Sequence, residues 1–462
     1  MSKPYHIVIV GNGPAGLAAA IAITKHPSNS TTIPRPLRVT VLELQPSVQT
    51  IGGAVNMKPL TLRYLDALGV GPRLRPEGNP ISAIDLVAHR TGALLATLWP
   101  GVDALRVRRQ AVVEALMETA LSDCNPWTLR IKHGAKVTHI EEYGDPDGMK
   151  EDAGGVYVTY TMAAKDGSVE TETLDADVVV GCDGIHSFVR RHVVEPERPE
   201  IYSGKCVAYG FTNVAPVEAA DWTRADGTPL VRDTTLVQHG AESLLMAYHE
   251  LPIYRKQLYL AAVMPVEEAT GDNIASGADD GGNTSASASA PSRRQDGWVV
   301  QDADKQGLRR RIGDMFAGGE IACLGNVIER CDDWFLYPVY MLPEGGRWTK
   351  GRVILLGDAA HAMPPQVEST GVAIEDGILL AHVLARRRDR GVGRMLADYD
   401  ALRRLEISAL YKTSIARWSG TPTLGSWVGR VFMEWMAWAV VSYLNWTSNH
   451  FARDVRDLPL PK

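Results

Sequence analysis

Three glycines near the start of the chain have the spacing of a phosphate-binding turn. Gly11, Gly13 and Gly16 form Gly-x-Gly-x-x-Gly between an apolar, β-branched run at 5–10 and an alanine- and leucine-rich run at 17–23. This order predicts a strand, a tight turn at Gly11 and a helix, in which Gly13 admits a pyrophosphate and Gly16 lets helix and strand pack closely. The helix N-terminus would offer unpaired N–H groups to the phosphates. The alternative is a glycine-rich turn that binds no ligand.

An acidic residue follows the second apolar run of the chain. Glu43 comes directly after residues 37–42 and lies 27 positions past Gly16. The acid that binds an adenosine ribose usually follows the glycines by about 20 residues. The proline-, serine- and threonine-rich stretch at 26–36 is a predicted loop that accounts for the difference. Glu43 is therefore predicted to bind a ribose hydroxyl, and a solvated charge at a strand end is the alternative.

Two more carboxylates follow predicted strands. Asp183, with Gly184 after it, comes shortly after the continuously apolar run 176–180, and Asp358 comes shortly after the run 352–356. In open α/β sheets ligands bind beyond the carboxyl ends of the strands. Both aspartates are therefore predicted to lie where such a fold binds a ligand.

Two further stretches are candidate ligand contacts. The run Ile-Gly-Gly-Ala at 51–54 predicts backbone that passes close to a ligand, which includes Ala54. A helix is predicted over 106–120, with Arg109 near its start. Arg109 either contacts a phosphate or is a solvated charge at the helix end.

The composition places these candidates in an ordinary globular protein. The chain has 462 residues, 45% of them hydrophobic and 22% charged, which suits two domains. The net charge of -6 provides no basic surface for nucleic acid. The five cysteines are scattered and form no Cys-x-x-Cys, so neither a disulfide framework nor a metal site is predicted. Because the first strand begins almost at once, no signal peptide is expected and the predicted location is cytoplasmic.

The order of elements predicts a sheet domain interrupted by a second region. Residues 1–200 form the first part, with two strands near 80–100 that leave it. Residues 201–345 alternate as strands and contain one helix, at 307–316, and a low-complexity stretch at 271–294 that predicts a mobile loop. Residues 346–400 return to the sheet domain, and 401–462 form C-terminal helices.

Three motifs together resemble those of a known enzyme family. The glycine turn at 11–16, Cys-Asp-Gly-Ile-His-Ser-Phe-Val-Arg at 182–190 and Gly-Asp-Ala-Ala-His-Ala-Met-Pro-Pro at 357–365 resemble the group A flavoprotein monooxygenases of the para-hydroxybenzoate hydroxylase type, most of all fungal enzymes of secondary metabolism. The resemblance implies an α/β fold: a three-layer dinucleotide-binding FAD domain, an inserted β-sheet substrate domain and a C-terminal helical segment.

The resemblance also implies roles for the candidate residues. Glu43 would bind the adenosine ribose of FAD, Arg109 would lie on its pyrophosphate side, Asp183 and Gly184 would serve both FAD and NADPH or NADH, Asp358 would hold the ribityl chain, and Pro365 would lie beside the flavin ring. After the prolines the family usually has a glycine-rich loop. Here residues 366–371 contain only Gly371, which is still expected to present an amide at a helix N-terminus.

Two tyrosines are the candidates for catalysis. Related fungal enzymes use an arginine in the first strand of the substrate domain and a tyrosine in a later strand. Tyr209 stands at the arginine's place and Tyr248 matches the tyrosine. Ordinary packing of aromatic residues in strands is the alternative for both.

The function implied by the resemblance is oxygen insertion. FAD, NAD(P)H and O2 would together hydroxylate or epoxidise an electron-rich aromatic ring or alkene of a small, apolar substrate. A flavin reductase or dehydrogenase on the same fold is the nearest alternative, and a non-catalytic flavoprotein is a further one. The Trp-x-Trp-x-Ile motif of flavin halogenases is absent from the sequence.

The segment 427–446 raises the question of membrane contact. It is long enough to span a bilayer, which takes about 20 apolar residues. Arg430 and Glu434 lie inside it, four positions apart, where they suit an ion pair on one helix face. We therefore expect a helix with half-buried tryptophans that lies at the cavity mouth or on a membrane surface, and a spanning helix is the alternative.

Overall fold

The structure is a computed structural model that describes residues 3–27, 35–48, 50, 52–144, 154–164, 167–214, 222–224, 226–239, 242–250, 256–266, 302–331, 333–365, 369–419, 427–447 and 454–461. The predicted mobile loop at 271–294 lies outside these residues. The strands are β1 Tyr5–Val10, β2 Leu37–Glu43, β3 Ala54–Met57, β4 Asn79–Ile81, β5 Ile84–Ala88, β6 Leu94–Leu98, β7 Ala104–Arg108, β8 Leu129–His133, β9 Lys136–Tyr143, β10 Gly155–Ala163, β11 Val169–Ala176, β12 Val178–Gly181, β13 Ile201–Asn213, β14 Thr234–His239, β15 Glu242–Tyr248, β16 Gln257–Pro265, β17 Trp334–Met341, β18 Thr349–Lys350 and β19 Val353–Leu355. The α-helices are α1 Pro14–Lys25, α2 Pro59–Leu68, α3 Gly71–Leu74, α4 Arg109–Asp123, α5 Asp302–Met315, α6 Leu324–Glu329, α7 Asp358–His361, α8 Ser369–Leu384, α9 Val392–Trp418 and α10 Trp427–Thr447, with shorter helical turns at Arg75–Glu77, Arg190–Val194 and Val455–Asp457.

A six-stranded sheet forms the centre of the first domain. Its order is β18-β19-β12-β1-β2-β8, and the strands from β19 to β8 run parallel. Strands β1 and β12 are buried, and their residues are apolar apart from His6 in β1 and Gly181 in β12. Helices α1, α4 and α8 cover one face, and the meander β9–β11 packs on the other. The carboxyl ends of β1, β2, β12 and β19 therefore meet along one edge of the sheet, where a doubly wound fold binds its ligand.

A seven-stranded sheet forms the second domain. Its order is β17-β13-β16-β15-β14-β5-β6. Of the two strands near residues 80–100, β5 pairs with β14, far along the chain, and β6 pairs with β5 at the edge. One face packs against α5 and α6 around a core that includes Leu308, Ile312 and Trp334. The other face turns toward the first domain, where Tyr209 and Tyr259 pack with Ala54.

A small sheet of order β3-β7-β4 joins the two domains. The predicted helix over 106–120 begins only at Arg109, because residues 104–108 pair with strands on both sides. Arg106 is accordingly a buried strand residue. Its guanidinium donates to Asn56 Oδ1 at 2.9 Å and to Thr234 Oγ1 at 2.8 Å, which ties the small sheet to the seven-stranded one.

The C-terminal part returns to the first domain. The predicted boundary at residue 400 falls inside α9, a single helix whose Arg403 is fully buried against α8. After α10, the segment 454–461 packs back on the first domain, where Val455 donates its N–H to Tyr64 Oη at 3.0 Å and Leu458 O bonds His382 Nε2 at 3.0 Å. Residues on both sides of the expected boundary thus share one core.

Helix α10 lies on the edge strand β6. Glu434 forms a two-pronged ion pair with Arg90, at 2.7 and 3.1 Å. The expected pair of Glu434 with Arg430 stays a prediction, because the Arg430 side chain lies outside the described part. Asn445 bonds both the Trp99 N–H and the Thr97 carbonyl of the hairpin, at 2.8 and 2.9 Å. Trp435 and Trp446 are 64% and 82% exposed, more than the half burial we expected. Within the described residues, no helix combines the length and the apolar character that a bilayer crossing requires.

Candidate active site

The glycine turn has the geometry expected of a phosphate-binding loop. Gly11 adopts φ +99°, a left-handed value that glycine tolerates best, and a Cβ there would overlap the Cys182 carbonyl. A Cβ at Gly16 would overlap the Gly11 carbonyl oxygen, so helix and strand touch at this point. No described atom lies within 4 Å of a Cβ placed on Gly13, which is the N-cap of α1. The turn is therefore closed behind Gly11 and Gly16 and open above Gly13.

Glu43 lies at the end of β2, beside this turn. Its carboxylate is 8% exposed and accepts hydrogen bonds from the Asn12 N–H at 2.9 Å and the Gln45 N–H at 2.7 Å. These bonds fix the carboxylate against the glycine turn, and a carboxylate keeps further lone pairs for a hydroxyl donor. A solvated strand-end charge, the alternative considered above, does not describe this buried group.

Asp183 adjoins the turn from β12. A Cβ on Gly11 would lie 3.0 Å from the Asp183 Cα. The carboxylate itself is directed into its own segment, where it accepts from Ser187 Oγ at 2.5 Å and from the Val189 N–H at 3.1 Å. Burial raises the pKa of Asp183, while these bonds lower it in part. Gly184 follows with φ +76°. Asp183 thus shapes its own loop. We call the space at the carboxyl edge of the six-stranded sheet, above Gly13, the groove, and the backbone of this loop faces it.

Asp358 begins the short helix α7 after β19. Gly357 before it has φ +58° and donates its N–H to Asp376 Oδ2 at 2.9 Å. The Asp358 side chain is partly exposed, and it makes no hydrogen bond or ion pair with any described residue. It is a carboxylate that the rest of the site leaves available to a ligand.

The segment after α7 leads to the start of α8. Pro365 is exposed, and residues 366–368 lie outside the described residues. Gly371 is the third residue of α8, where amides have no partner within the helix. A Cβ on Gly371 would overlap Thr61 Oγ1 of α2, so this glycine also sets how closely the two helices pack.

Arg109 and the 52–54 backbone form the opposite wall of the groove. The Arg109 N–H donates to the Gly53 carbonyl at 2.9 Å, and its side-chain Cδ would lie 3.2 Å from a Cβ on Gly52. The guanidinium makes no ion pair with the part of the chain that the structure describes. A cation without a carboxylate partner here is suited to a phosphate.

Tyr209 reaches from the seven-stranded sheet to this wall. Its hydroxyl accepts the Gly52 N–H at 3.1 Å, and its ring stacks on Phe335 with 5.3 Å between centroids. Burial raises the pKa of Tyr209, which the nearby Arg109 charge lowers in part. Tyr259 stands on the Gly53 backbone, and its hydroxyl interacts with the Ala54 amide. Two tyrosines therefore hold the 52–54 backbone.

Tyr248 is not brought to this site. In β15 Leu245 and Ala247 face the Tyr209 side, whereas Met246 and Tyr248 face the core formed with α5 and α6. Tyr248 is 7% exposed in that core. The geometry therefore favours the packing alternative for Tyr248, and its catalytic role stays a prediction.

Residues on the Tyr209 side of the seven-stranded sheet form an apolar row. The register places Phe335, Tyr209, Ala261, Leu245 and Leu236 side by side on five neighbouring strands. Cross-strand neighbours share one face of a sheet. No member of the row is charged, and the Tyr209 hydroxyl is its single polar group. The row forms a wall suited to an apolar ligand.

The sequence reasoning missed Tyr259. The sequence predicts alternating strands over 201–345, but no motif marks which alternate residues of these strands face a site. Tyr259 is 6% exposed, and burial raises its pKa. Its position follows from the strand pairing, which places Tyr259 directly opposite Ala247, on the side of the sheet that carries Tyr209. No pattern in the sequence shows this pairing.

The residues present fit a bound dinucleotide. The open space above Gly13 admits a pyrophosphate, the α1 N-terminus and Arg109 supply positive charge, and Glu43 and Asp358 supply acceptors for hydroxyl groups. Gly13, Glu43 and Asp358 stand at or just after the carboxyl ends of β1, β2 and β19, which are strands of one parallel sheet.

Comparisons with known proteins agree with this geometry. The sequence profile of the family described as FAD binding domain matches residues 4–223 and 345–414. Salicylate hydroxylase from Pseudomonas putida is 28% identical over 88% of this chain and 84% of its own length. The FAD-dependent monooxygenase ntnJ from Nectria sp is 24% identical over 82% of this chain and 76% of its own. The crystal structure of Klebsiella pneumoniae HpxO complexed with FAD and uric acid superposes with a TM-score of 0.66 at 19% identity and covers 96% of each chain, which shows a common fold.

Proposed function

Since the chain belongs to the FAD-binding-domain family, we propose that it is an FAD-dependent monooxygenase that inserts one oxygen atom of O2 into a small, electron-rich substrate. Bound FAD, reduced by NADPH or NADH, would activate O2, and the protein would orient the reactants and exclude water. The observation that carries the proposal is the position of the apolar row. Tyr209 belongs to the row and bonds Gly52 of the groove wall, so a substrate on the row would lie directly beside the cofactor groove.

The cofactor roles follow the geometry of the groove. Glu43 would accept from the adenosine ribose, the α1 amides and Arg109 would bind the pyrophosphate, and Asp358 would accept from the ribityl chain. The Asp183–Gly184 backbone would lie against both FAD and the nicotinamide nucleotide. Pro365 and the first amides of α8 would lie beside the flavin ring.

The substrate we propose is neutral and apolar. An arginine in place of Tyr209 would supply a fixed cation for an acid or a phenolate, and this chain lacks it. The relatives that the comparisons name include a salicylate hydroxylase, whose substrate is an acid. The role we propose is in fungal secondary metabolism, where an apolar aromatic or alkene substrate would suit the row; the relative ntnJ from Nectria sp is itself named an FAD-dependent monooxygenase.

One experiment tests the reaction class. The purified holoprotein is reduced anaerobically with NADPH or NADH, then mixed with ¹⁸O2 and a panel of apolar phenols, indoles and prenylated aromatics. A product that gains one ¹⁸O atom supports the proposal. Reoxidation that yields only hydrogen peroxide or a dehydrogenated product for every compound supports the reductase or dehydrogenase instead. Failure to bind FAD contradicts both.

A second experiment tests the substrate's charge. A hydroxybenzoate and its methyl ester are compared as stimulators of flavin reduction, in the native protein and in Tyr209→Arg. We expect the ester to be preferred by the native protein and the acid to gain in the variant. An acid preference in the native protein would contradict the neutral-substrate proposal.

We also propose that α10 rests on a membrane surface. Its polar residues Glu434 and Asn445 bond the hairpin, while Phe432, Trp435, Trp438, Tyr443 and Trp446 are 49–82% exposed. Exposed aromatic side chains of a helix suit the interface of a bilayer. An apolar substrate would then enter from lipid.

Vesicle flotation tests this contact. The protein is floated with phosphatidylcholine vesicles, and a variant with Trp435, Trp438 and Trp446 changed to serine is expected to stay at the bottom. Trp127→Ser is the matched control, because Trp127 is 80% exposed on another surface. Equal flotation of the native protein and the triple variant, or none by either, would contradict the membrane contact.

A further inference from the structure

A buried cluster of charged residues lies beneath the turn that carries Asp358. Asp376 and Glu375 come from α8, Arg403 from α9 and His361 from the end of α7. Asp376 and Arg403 are fully buried, and His361 is 5% exposed. Charges removed from water this completely need close partners, so their geometry is set by one another.

Asp376 is bonded to both ends of the turn. Its Oδ2 accepts the Gly357 N–H at 2.9 Å and lies 2.7 Å from His361 Nε2. Its Oδ1 accepts from Arg403 Nε at 2.8 Å. Burial alone would raise the pKa of Asp376, but His361 and Arg403 lower it to about 2. A single carboxylate thus holds the residue before Asp358 and the residue three positions after it.

Arg403 anchors this carboxylate to the rest of the domain. Its guanidinium also lies 2.9 Å from Glu375, 2.7 Å from Glu406 and 3.2 Å from the Val372 carbonyl. Each of its nitrogens therefore has an acceptor. Since Arg403 cannot rotate without breaking these bonds, Asp376 is held in one position between α8 and α9.

The turn has little freedom apart from these bonds. Gly357 has φ +58°, and a Cβ on it would lie 3.2 Å from the Ala15 Cβ of α1 and 3.5 Å from the Ala373 Cβ of α8. The His361 ring packs edge-on against Trp348, with 5.4 Å between centroids. The direction of Asp358 between these two residues is set by how Gly357 and His361 are fixed.

We propose that Asp376 is a positioning residue for cofactor binding: it fixes the 357–361 turn so that Asp358 points into the groove. This proposal rests on the proposed role of Asp358 as an FAD ligand. Asp376 does not itself face the groove, because its oxygens are taken up by Gly357, His361 and Arg403. Its contribution to FAD binding must therefore pass through Asp358.

A double-mutant cycle tests this dependence. The dissociation constant of FAD is measured for Asp358→Asn, Asp376→Asn and the double variant, together with visible circular dichroism of the bound flavin. Each single variant is expected to weaken FAD binding at least 10-fold. The double variant is expected to bind about as weakly as the weaker single variant, because coupled residues do not contribute independently.

Two further variants separate positioning from folding. Asp398→Asn removes the charge of a different buried carboxylate, which lies in α9. Asp398 pairs with Arg390 and does not contact the turn. It should leave FAD affinity and flavin dichroism unchanged. His361→Phe keeps the ring and the Asp376–Arg403 pair but removes one hold on the turn, and it should weaken FAD binding several-fold even if Asp376→Asn does not fold.

The outcomes are distinguishable. Unchanged affinity in Asp358→Asn would contradict the proposed cofactor role of Asp358. Suppose that Asp358→Asn binds FAD weakly and that the fold-loss of affinity in the double variant equals the product of the two single fold-losses. Asp376 then acts independently of Asp358, and the positioning role is wrong. Native affinity and dichroism in His361→Phe would contradict it as well.

Discussion

Substitution by alanine should have different effects at two glycines of the same turn, Gly13 and Gly16. Gly13 has φ -63° and open space where a Cβ would stand, so alanine fits the protein without cofactor. A Cβ at Gly16 would overlap the Gly11 carbonyl oxygen, which is backbone and cannot rotate away. Gly13→Ala should therefore damage FAD binding alone, whereas Gly16→Ala should damage the fold itself.

The structure sets the size of both effects. Gly13→Ala should change the free energy of unfolding of the apoprotein by less than about 0.5 kcal/mol, as expected where nothing is displaced. The methyl group would keep the pyrophosphate from the backbone and lose charged hydrogen bonds worth about 1.5–3 kcal/mol. That is a weakening of FAD binding of roughly 10- to 150-fold. Gly16→Ala should cost about 1–3 kcal/mol through overpacking before any cofactor binds.

Two measurements on each variant separate an effect on FAD binding from an effect on the fold. Denaturant unfolding of the apoprotein gives stability, and titration with FAD followed by flavin fluorescence gives affinity. Gly307→Ala is the control, since Gly307 is an exposed residue of α5 with open space around it. Native affinity in Gly13→Ala would refute the assignment of the open space to a pyrophosphate, and a fully stable Gly16→Ala would refute the close contact behind it.

Three other predictions follow from the site. Tyr209→Phe leaves the Gly52 N–H without its acceptor, so the amount of product formed per NAD(P)H oxidised should fall. Tyr248→Phe changes a residue of the other core and should leave this ratio unchanged. A drop of about 10²-fold for Tyr248→Phe would support its catalytic role. Glu43→Gln should lower affinity for FAD but not for FMN, which lacks the adenosine ribose; equal losses by equilibrium dialysis would contradict the assignment. Burial raises the pKa of Glu375 to about 7, an effect that Arg403 opposes. Glu375 in the folded protein therefore keeps its proton at a pH where the unfolded chain has already released it. Stability should therefore decline as pH rises from about 4.5 to 7, and Glu375→Gln should flatten that decline in denaturant titrations at several pH values.

The cofactor edge was predictable because its chemistry is local. Gly11, Gly13 and Gly16 lie within one turn, and the predicted strands before Glu43 and Asp358 end where the structure ends them or close by. Parallel strands carry their carboxyl ends to one edge, so residues far apart in the chain could be placed together from the strand pattern alone. The helix predicted from 106 was wrong at its start because pairing with β3 and β4 outweighs the local helical pattern at 104–108.

The substrate wall was less predictable because the face of a strand residue depends on pairing. Alternation along β15 fixes that Tyr248 and Leu245 point to opposite faces, but only the register Leu245–Ala261–Tyr209 shows which face adjoins the groove. An error of one residue in that register would exchange Tyr248 for its neighbour. The contact between Asp376 and Arg403 joins residues 27 positions apart on two helices, and no periodic pattern in either helix marks it. The residues proposed to bind the cofactor thus follow from motifs, whereas those of the apolar row and those that hold the Asp358 turn follow from long-range packing.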